Sequence, residues 1–338
     1  MRFFLAALLT IFLLSACTDS TSKSGNDVTD ARTDTVSGGD ISDTDRTPET
    51  TGEINSGEEV SVLVGQEGII QLVQGDSILL DFPAGSMELG CVPEIENTHN
   101  YDPYFLEPGG YQRGLYPVPE GLEWVEVESA SAAHLKENGW EVQLNLSDGR
   151  ESILKIEVLR DGAFSFHWSG PNDTPHPVFF RLNPVVSKDE GFYGLGEVFD
   201  QVEHRGKVRA MQFEISNLES GYNEAHVPIP LLIGTKGWGI FVESMHGGVF
   251  APGVHADDRA RITFGLGRYG HEGLRFHLFA EEHPLDITQH YYEITGYPGA
   301  IAPWALGPWI WRDEVADQEF SYGKGTEEIE ETGEEDGS

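Results

Sequence analysis

Apolar and polar residues alternate along several short segments in the middle of the sequence. The alternation is clearest from Trp140 to Leu146, from Ile153 to Leu159 and from Phe164 to Trp168. A period of two places one face of a β-strand in a core and the other face in solvent. The steps Ser147-Asp-Gly149 and Arg160-Asp-Gly162 separate these segments and accept the positive φ that tight hairpin turns need. The pattern therefore predicts successive antiparallel strands.

Similar patterns extend over residues 58–300. We predict further strands at Glu67–Val73, Ser77–Phe82, Val178–Leu182, Ile229–Gly234, Gly239–Val242, Ala260–Phe264 and Leu274–Phe279. The segment from Leu285 to Tyr292 has a helical spacing of apolar residues and is the one helix that we predict. Strands with one buried face, separated by turns about every 8–12 residues, are typical of a sandwich. The predicted fold class is all-β, a large antiparallel β-sandwich.

The first 17 residues have the pattern of an export signal. Arg2 precedes an apolar run from Phe3 to Leu14, and small residues follow up to Cys17. This run is too short to cross a bilayer as a helix of the mature protein. Leu14-Ser-Ala-Cys17 resembles a bacterial lipobox, which implies that Cys17 carries lipid; an ordinary secretory signal is the alternative. Thr18, where Asp would be the inner-membrane retention mark, favours the outer membrane. The expected location is the bacterial cell envelope, with the membrane contacted through a lipid anchor.

Two polar segments flank the predicted sandwich. Residues 18–57 contain almost no large apolar side chain, and they are predicted to be a disordered tether because they cannot bury enough surface to offset the entropy of ordering. Residues 323–338 form an acidic tail. The formal net charge of −36 argues against nucleic acid as a partner, since phosphate binding needs a basic surface. The sequence has no calcium-loop or zinc-type spacing, and it indicates neither a metal nor another cofactor. Cys91 is predicted to be a small buried apolar side chain.

Three blocks of sequence carry a family resemblance. The first runs from Gly191-Phe-Tyr-Gly-Leu-Gly-Glu197 to Gly206, the second combines Val227–Ile233 with Gly237–Glu243, and the third is Gly296–Trp311. In this order and at these separations they resemble the N-terminal β-sandwich domain of glycoside hydrolase family 31, the α-glucosidase and α-xylosidase family. The resemblance covers about residues 150–312. It implies the galactose-mutarotase-like supersandwich, with residues 58–150 supplying the opening strands.

In that family a catalytic (β/α)8 barrel follows the sandwich. The resemblance implies that residues 301–322 are the truncated start of such a barrel, because a whole barrel takes about 250 residues and the sequence ends at Ser338. Retaining hydrolysis needs two carboxylates about 5 Å apart. Asp313 and Glu314 are adjacent, so on a strand they point to opposite faces and do not form that pair. We therefore assign no catalytic residue and expect no hydrolysis by this chain alone.

The resemblance also implies a sugar-contacting loop between Met211 and His226. Asn217, Asn223 and Glu224 could exchange hydrogen bonds with vicinal hydroxyls, and Tyr222 could offer a flat face to a pyranose ring. The alternative is a polar hairpin loop whose Asn and Glu side chains satisfy local backbone groups. Outside this loop, Trp311 is a candidate aromatic platform for a sugar.

The leading interpretation is a lipid-anchored, carbohydrate-binding protein for an α-linked oligosaccharide, similar to an α-glucosidase but without hydrolytic activity of its own. A truncated remnant, or an interaction subunit with a separate barrel-bearing partner, is the main alternative. A minor alternative is a mutarotase-like epimerase, which would need a glutamate base and histidines on one concave face. Its candidate residues are His204, His226, His246, His255, Glu224 and Glu243.

Overall fold

The computed structural model describes residues 52–57, 59–65, 69–96, 101–108, 118–137, 139–198, 200–211 and 227–307. The lipobox with Cys17, the tether up to residue 51 and the acidic tail lie outside the described residues. Residues 212–226 and everything after Gly307 lie outside them as well.

The described residues contain eighteen strands and one α-helix. The strands are β1 Glu53–Asn55, β2 Val60–Val64, β3 Ile70–Gln74, β4 Ser77–Phe82, β5 Met87–Val92, β6 Glu123–Ala130, β7 His134–Lys136, β8 Gly139–Leu146, β9 Glu151–Arg160, β10 Ala163–Ser169, β11 His176–Leu182, β12 Phe192–Glu197, β13 Arg209–Ala210, β14 Val227–Gly234, β15 Trp238–Val242, β16 Gly248–Pro252, β17 Ala260–Gly265 and β18 Leu274–Ala280. The helix α1 spans Ile287–Thr295, and short 3-10 helices span Pro103–Leu106, Gly267–Glu272, Pro284–Asp286 and Pro303–Leu306.

These strands form two antiparallel sheets. Strands β1 to β4 make a four-stranded sheet in sequence order. The larger sheet has the order β12-β14-β15-β18-β10-β9-β8-β6-β5-β11-β17-β16-β13, and β7 pairs with β8. Every pairing is antiparallel, as in the predicted fold class.

Strand β6 joins two halves of the larger sheet. Its residues Glu123–Glu126 pair with β5, and its residues Val127–Ala130 pair with β8, with a register shift between Val127 and Ser129. We call the strands from β12 to β8 the β10 half, and the strands from β5 to β13 the β11 half. Trp168 of β10 packs edge-on against Phe180 of β11, with ring centroids 5.2 Å apart. Because these strands are not neighbours in the sheet, the contact shows that the two halves face each other as a sandwich.

The core between the halves is aromatic. Phe166 and Phe276 stack with ring centroids 4.9 Å apart, and both are fully buried. The alternation predicted for β8 is confirmed, because Leu144 and Leu146 are buried and the intervening Asn145 is exposed, and β9 alternates in the same way around Leu154 and Ile156. Strand β10 differs from the prediction, because Ser165 is buried as well as Phe164 and Phe166, so both of its faces are covered. The four-stranded sheet contributes to the same core through Val62, Leu72 and Leu80. The large all-β sandwich expected from the sequence is therefore present.

Two predicted boundaries need correction. The tether was expected to reach residue 57, but Glu53–Asn55 pairs with β2, and Ile54 is only 1% exposed. A single apolar residue in a polar segment is enough to join a sheet whose pairing partner is already formed. The helix begins at Ile287 rather than Leu285, because Pro284–Asp286 forms a 3-10 turn capped by the His283 side chain.

The prediction for Cys91 is confirmed, since its side chain is fully buried in the core. None of the helices in the described ranges is long and apolar enough to span a membrane. Within those same ranges, His, Cys, Asp and Glu side chains form no group of three that could hold a metal ion.

Candidate functional site

The sequence block that starts at Gly191 forms a bulge at the edge of the β10 half. Strand β12 pairs with β14, and the register shifts between Gly194 and Gly196. Gly194, Leu195 and Gly196 have φ values of 102°, 61° and 88°, in the left-handed region that favours glycine. A Cβ on Gly196 would overlap the Val227 carbonyl oxygen and lie 2.7 Å from the Ile229 nitrogen. The two glycines are therefore required by the backbone, and Leu195 is held at positive φ by complete burial.

The free edge of β12 is covered by the residues that follow it. The His204 N–H donates to the Phe192 carbonyl at 2.9 Å, and the Phe192 N–H donates to Glu203 Oε1 at 3.0 Å. His204 Nε2 lies 3.0 Å from the Gly194 carbonyl oxygen, and Arg209 Nε lies 3.3 Å from His204 Nδ1. Since a carbonyl only accepts, Nε2 carries the proton and Nδ1 accepts from Arg209. His204 is thus a neutral, buried bridge across the bulge.

Arg205 fixes this segment to the rest of the sandwich. Its guanidinium donates to the carbonyl oxygens of Glu190, Ser187 and Asp257, at 2.8, 2.7 and 2.8 Å. It also lies over the Phe192 ring, 4.7 Å from the centroid. A planar group with several fixed donors suits such a set of carbonyls. We call His204, Arg205, Arg209, Glu203 and Asp200 the polar frame.

Asp200 completes the polar frame. Its Oδ1 accepts from Arg209 Nη2 at 2.7 Å, and the Arg209 side chain is 9% exposed. Desolvation acts to raise the pKa of Asp200, but the hydrogen bonds from Arg209 and from the Gln201 N–H outweigh it and lower that pKa. The charged residues of this block therefore hold the backbone, and their hydrogen-bonding groups are largely occupied.

The polar frame and the glycine bulge lie at the two ends of the predicted sugar-contacting loop. At one end, β13 pairs with β16, and the Met211 N–H donates to the Gly248 carbonyl at 2.7 Å. At the other end, Val227 begins β14 and pairs with Glu197 of β12. Residues 212–226 therefore leave from the terminal strand of the β11 half and return beside the terminal strand of the β10 half.

The residues predicted to contact sugar lie outside the described part of the chain. Asn217, Tyr222, Asn223 and Glu224 fall within residues 212–226, and Trp311 follows Gly307. Their proposed roles stay predictions.

An apolar groove lies next to the bulge. It has a volume of about 380 Å³ and runs between β12, β14 and α1. Its lining includes Gly196, Val227 and Ile229 on the strands and Tyr291 and Tyr292 on the helix. Glu197 is the one carboxylate among its described lining residues. The alternation of the sequence did not predict this groove, because it depends on where α1 packs.

The helix α1 is held on the outer face of the β10 half by a polar contact and an apolar one. Arg160 Nε donates to His290 Nδ1 at 2.8 Å, which leaves Nε2 to donate to the Glu281 carboxylate. The His290 ring stacks on Phe279 with centroids 5.4 Å apart, and Ile287 is fully buried. Sequence reasoning missed this anchor, because Arg160 and His290 are 130 positions apart.

The histidines named for a mutarotase-like site do not converge in the described residues. His204 belongs to the polar frame, and His246 stacks on Tyr269 at 5.1 Å. His255 contacts the buried Glu107. Glu243 accepts from a different histidine, His277, at 3.1 Å. Glu224 and His226 lie outside the described ranges.

Buried histidines predict how stability depends on pH. Desolvation lowers the pKa of His204, His277 and His290. Well above pH 6.5, the ordinary pKa of histidine, they are neutral in the folded and the unfolded chain. As the pH falls towards and below that value, the unfolded chain takes up protons first, so the free energy of unfolding decreases between about pH 7 and pH 5.5. Urea unfolding at several pH values measures this decrease.

Two variants test that prediction. His277→Gln should make the pH dependence shallower, because one of the buried imidazoles is gone. His134→Gln should leave it unchanged, since His134 is exposed. A pH dependence equal in all three proteins would contradict the prediction. Glu190, whose pKa is raised by burial, works in the opposite direction at more acid pH, which is why the range stops near pH 5.5.

Comparison with known proteins agrees with this architecture. Residues 115–250 match the family model of the glycosyl hydrolase 31 N-terminal galactose mutarotase-like domain. The bulge, the polar frame and the start of β14 all lie within that match. The class defined by the fold is thus a galactose-mutarotase-like sandwich. Residues 115–250 are thus similar to the N-terminal domain of glycosyl hydrolase family 31, as the three sequence blocks indicated.

Two curated relatives match part of the chain. An isomaltosyltransferase from Sporosarcina globispora is 25% identical over 37% of this chain and 11% of its own length. The alpha-xylosidase XylQ from Lactiplantibacillus pentosus is 27% identical over 39% of this chain and 16% of its own length. The chain therefore matches only a small part of each relative.

Solved structures give a similar picture of coverage. A family 31 sulfoquinovosidase from E. rectale has a TM-score of 0.48 and 13% identity, over 72% of this chain and 35% of its own. The Flavobacterium johnsoniae dextranase of the same family, complexed with isomaltotriose in one mutant structure, has a TM-score of 0.35 and 17% identity. The match covers 73% of this chain and 27% of the dextranase.

Proposed function

We propose that this chain binds an α-linked oligosaccharide through residues 212–226 and does not hydrolyse it by itself. The observation that carries the proposal is the anchoring of this segment. Met211 is fixed to β16 of one half of the sandwich, and Val227 is paired with β12 of the other. The polar frame holds the first end, and the glycine bulge holds the second. A binding loop gains from fixed ends, because less chain entropy is lost when a ligand orders it.

The residue types in this segment suit a sugar. Asn217, Asn223 and Glu224 offer donors and acceptors for vicinal hydroxyls, and Tyr222 offers an aromatic face for the C–H side of a pyranose ring. The two curated relatives are named for an isomaltosyl transfer and for an α-xyloside. An α-linked glucoside such as isomaltotriose is therefore the ligand class that we favour.

The carboxylates of the described surface are the basis for the proposed absence of hydrolysis. Retaining hydrolysis uses two carboxylates about 5 Å apart, one to attack and one to protonate the leaving oxygen. Glu197 stands alone in the groove that the structure describes. Asp200 is ion-paired with Arg209, and Glu203 accepts from two backbone N–H groups. Asp200 and Glu203 are thus held by structural partners and are unsuited to that chemistry.

We expect weak binding that depends on the loop side chains. Isomaltotriose should shift NMR signals with a dissociation constant on the order of millimolar, because hydrogen bonds to hydroxyls at an open surface contribute little net free energy. The double variant Tyr222→Ala/Asn223→Ala should abolish the shifts. Asn145→Ala on β8, a matched exposed asparagine, should leave them unchanged.

Two outcomes of the same titration would contradict the proposal. Identical shifts in the double variant and the wild type would show that the loop does not bind the sugar. The appearance of glucose or isomaltose signals during the titration would show hydrolysis, and its loss on mutating an acidic residue of this chain would place the activity here.

We further propose that the protein is a lipoprotein of the bacterial cell envelope, in the outer membrane. The motif Leu14-Ser-Ala-Cys17 supports this, together with Thr18 in place of a retention aspartate. Cys17→Ala should abolish labelling by a clickable fatty acid and move the protein from the membrane fraction to the soluble fraction, because acyl chains hold such proteins at the bilayer. Cys91→Ala is the matched control and should stay labelled. A wild-type protein that is already soluble would contradict the proposal.

A further inference from the structure

A single guanidinium at the end of β9 makes three polar contacts with α1. Arg160 Nε donates to His290 Nδ1 at 2.8 Å, and Nη2 donates to the His290 carbonyl oxygen at 3.0 Å. Nη1 pairs with the carboxylate of Glu293, which lies about one turn further along α1. All three contacts depend on the position of one side chain, so a change that displaces it from one of them acts on the other two.

The two partners of the His290 ring fix its tautomer. A guanidinium keeps its protons in a protein, so Arg160 Nε can only donate and Nδ1 must accept. On the other side of the ring, Nε2 donates to the Glu281 carboxylate. The ring also stacks on Phe279 with centroids 5.4 Å apart, and the side chain is only 7% exposed. The docked helix therefore requires a neutral imidazole.

A second proton on this ring would bring two cations into contact. It would lie on Nδ1 and point at the N–H of Arg160 Nε, where neither group can accept. Desolvation, the largest influence, lowers the pKa of His290, and the charge of Arg160 acts in the same direction. The carboxylates of Glu281 and of Asp161, in the turn after β9, act in the opposite direction but are outweighed. The docked position of α1 thus favours the neutral ring.

Among the described residues, Arg160 is the hydrogen-bond partner of His290 Nδ1. Strand β15, which also packs against α1, has no charged residue. The other titratable side chains nearby are Asp286 one turn earlier, Glu293 paired with Arg160, His283 at the cap of the preceding 3-10 turn, and His277, which stacks on Phe279. Arg160 is therefore the group that a proton on Nδ1 would meet.

We propose that His290 and Arg160 form a proton-operated latch, which holds α1 against the sandwich at neutral pH and releases it as the pH falls. The ring of a released helix has the ordinary pKa of about 6.5, so the released form takes up the proton first. Docking is therefore unaffected well above pH 6.5 and weakens below it, by at most about tenfold for each pH unit because one proton is taken up.

Release of α1 would change the outer face of the β10 half while the sandwich stays folded. It uncovers Ile287 and Phe279, which are fully buried when the helix is docked. It also removes the helix side of the apolar groove next to the bulge. The latch thus makes an apolar surface more accessible in acid. This local opening is distinct from the decrease in the free energy of unfolding of the whole sandwich.

Hydrogen exchange of the full chain, followed by NMR at about pH 7.5, 6.5 and 5.5, tests the latch. We expect the amides of α1 to be less protected than those of β10. After correction for intrinsic exchange, their protection should fall by roughly three- to tenfold from pH 6.5 to pH 5.5. His290→Gln keeps one acceptor and one donor but cannot titrate, so it should remove this dependence. The exposed His134→Gln is the matched control and should retain it.

Arg160→Met tests the contact between the two cations. Without the guanidinium, a charged ring can remain beside Glu281, so the pH dependence of α1 protection should become shallower. An unchanged dependence in this variant or in His290→Gln would overturn the proposal. So would α1 amides that are as protected as those of β10, because the helix would then open only with the whole sandwich. Nitrogen-15 shifts of the wild-type ring give a test that needs no variant, since a protonated Nδ1 at neutral pH would also contradict the latch.

Discussion

Gly196→Ala is expected to destabilise the sandwich by about 3–5 kcal/mol, a large part of the stability of an ordinary domain. A methyl group at this position would overlap the Val227 carbonyl oxygen, and the residue has φ at 88°. The overlapping atom belongs to the backbone of β14, so relief requires the strand pair to separate. Because β14 also starts at the end of the predicted sugar-contacting segment, the variant should lose sugar binding too. Urea unfolding followed by circular dichroism measures the change.

Gly206→Ala separates the effect of positive φ from the effect of the overlap with the neighbouring strand. Gly206 also has positive φ, 72°, but a Cβ there meets nothing within 4 Å. Gly206→Ala should therefore lower the free energy of unfolding only by the conformational penalty, about 1 kcal/mol. Equal losses in Gly196→Ala and Gly206→Ala would show that the close approach of β12 and β14 contributes nothing.

Arg205→Ala is expected to cost about 2–4 kcal/mol. The change leaves the carbonyl oxygens of Glu190, Ser187 and Asp257 without their charged donor and removes the contact with the Phe192 ring. Lysine should rescue little, because one ammonium cannot replace a planar group that reaches three acceptors. The free energy of unfolding of both variants, measured in urea, checks this.

Lys207→Ala is the control for charge alone. Lys207 is 41% exposed and forms a surface ion pair with Asp200 at 3.5 Å. Such pairs contribute between nothing and about 1 kcal/mol. A loss in Lys207→Ala similar to that in Arg205→Ala would mean that the geometry of the guanidinium is unimportant.

The two variants with the largest expected effects, Gly196→Ala and Arg205→Ala, both change the sequence block Gly191–Gly206, and the structure explains what this block does. Its glycines permit a close backbone approach, and its charged residues occupy backbone groups at a sheet edge. Covering an edge in this way also protects it from pairing with another chain. The block fixes the ends of the segment that we propose to bind sugar, and its own polar groups are largely used for that purpose.

Local patterns in the sequence determined the strands and the class of fold. Alternation at Trp140–Leu146 and Phe164–Trp168 predicted strands, and the structure has both; the first has one buried face, whereas the second is buried on both faces. The order of the three sequence blocks identified the family domain, which the match over residues 115–250 bears out. These features could be read because strand alternation and turn chemistry depend on residues close together in the chain.

The tertiary structure alone decided which residues meet. It placed β6 in both halves of the sandwich, joined Arg160 to His290 across 130 positions and formed the groove beneath α1. It also gave His204 a neutral structural role, where the sequence allowed a catalytic one. No local pattern specifies such partners, because each depends on strand pairing and helix packing between distant segments. A side chain's neighbours fix its protonation and its hydrogen bonds. The chemistry of this surface can therefore be inferred only from the fold, which brings those neighbours together.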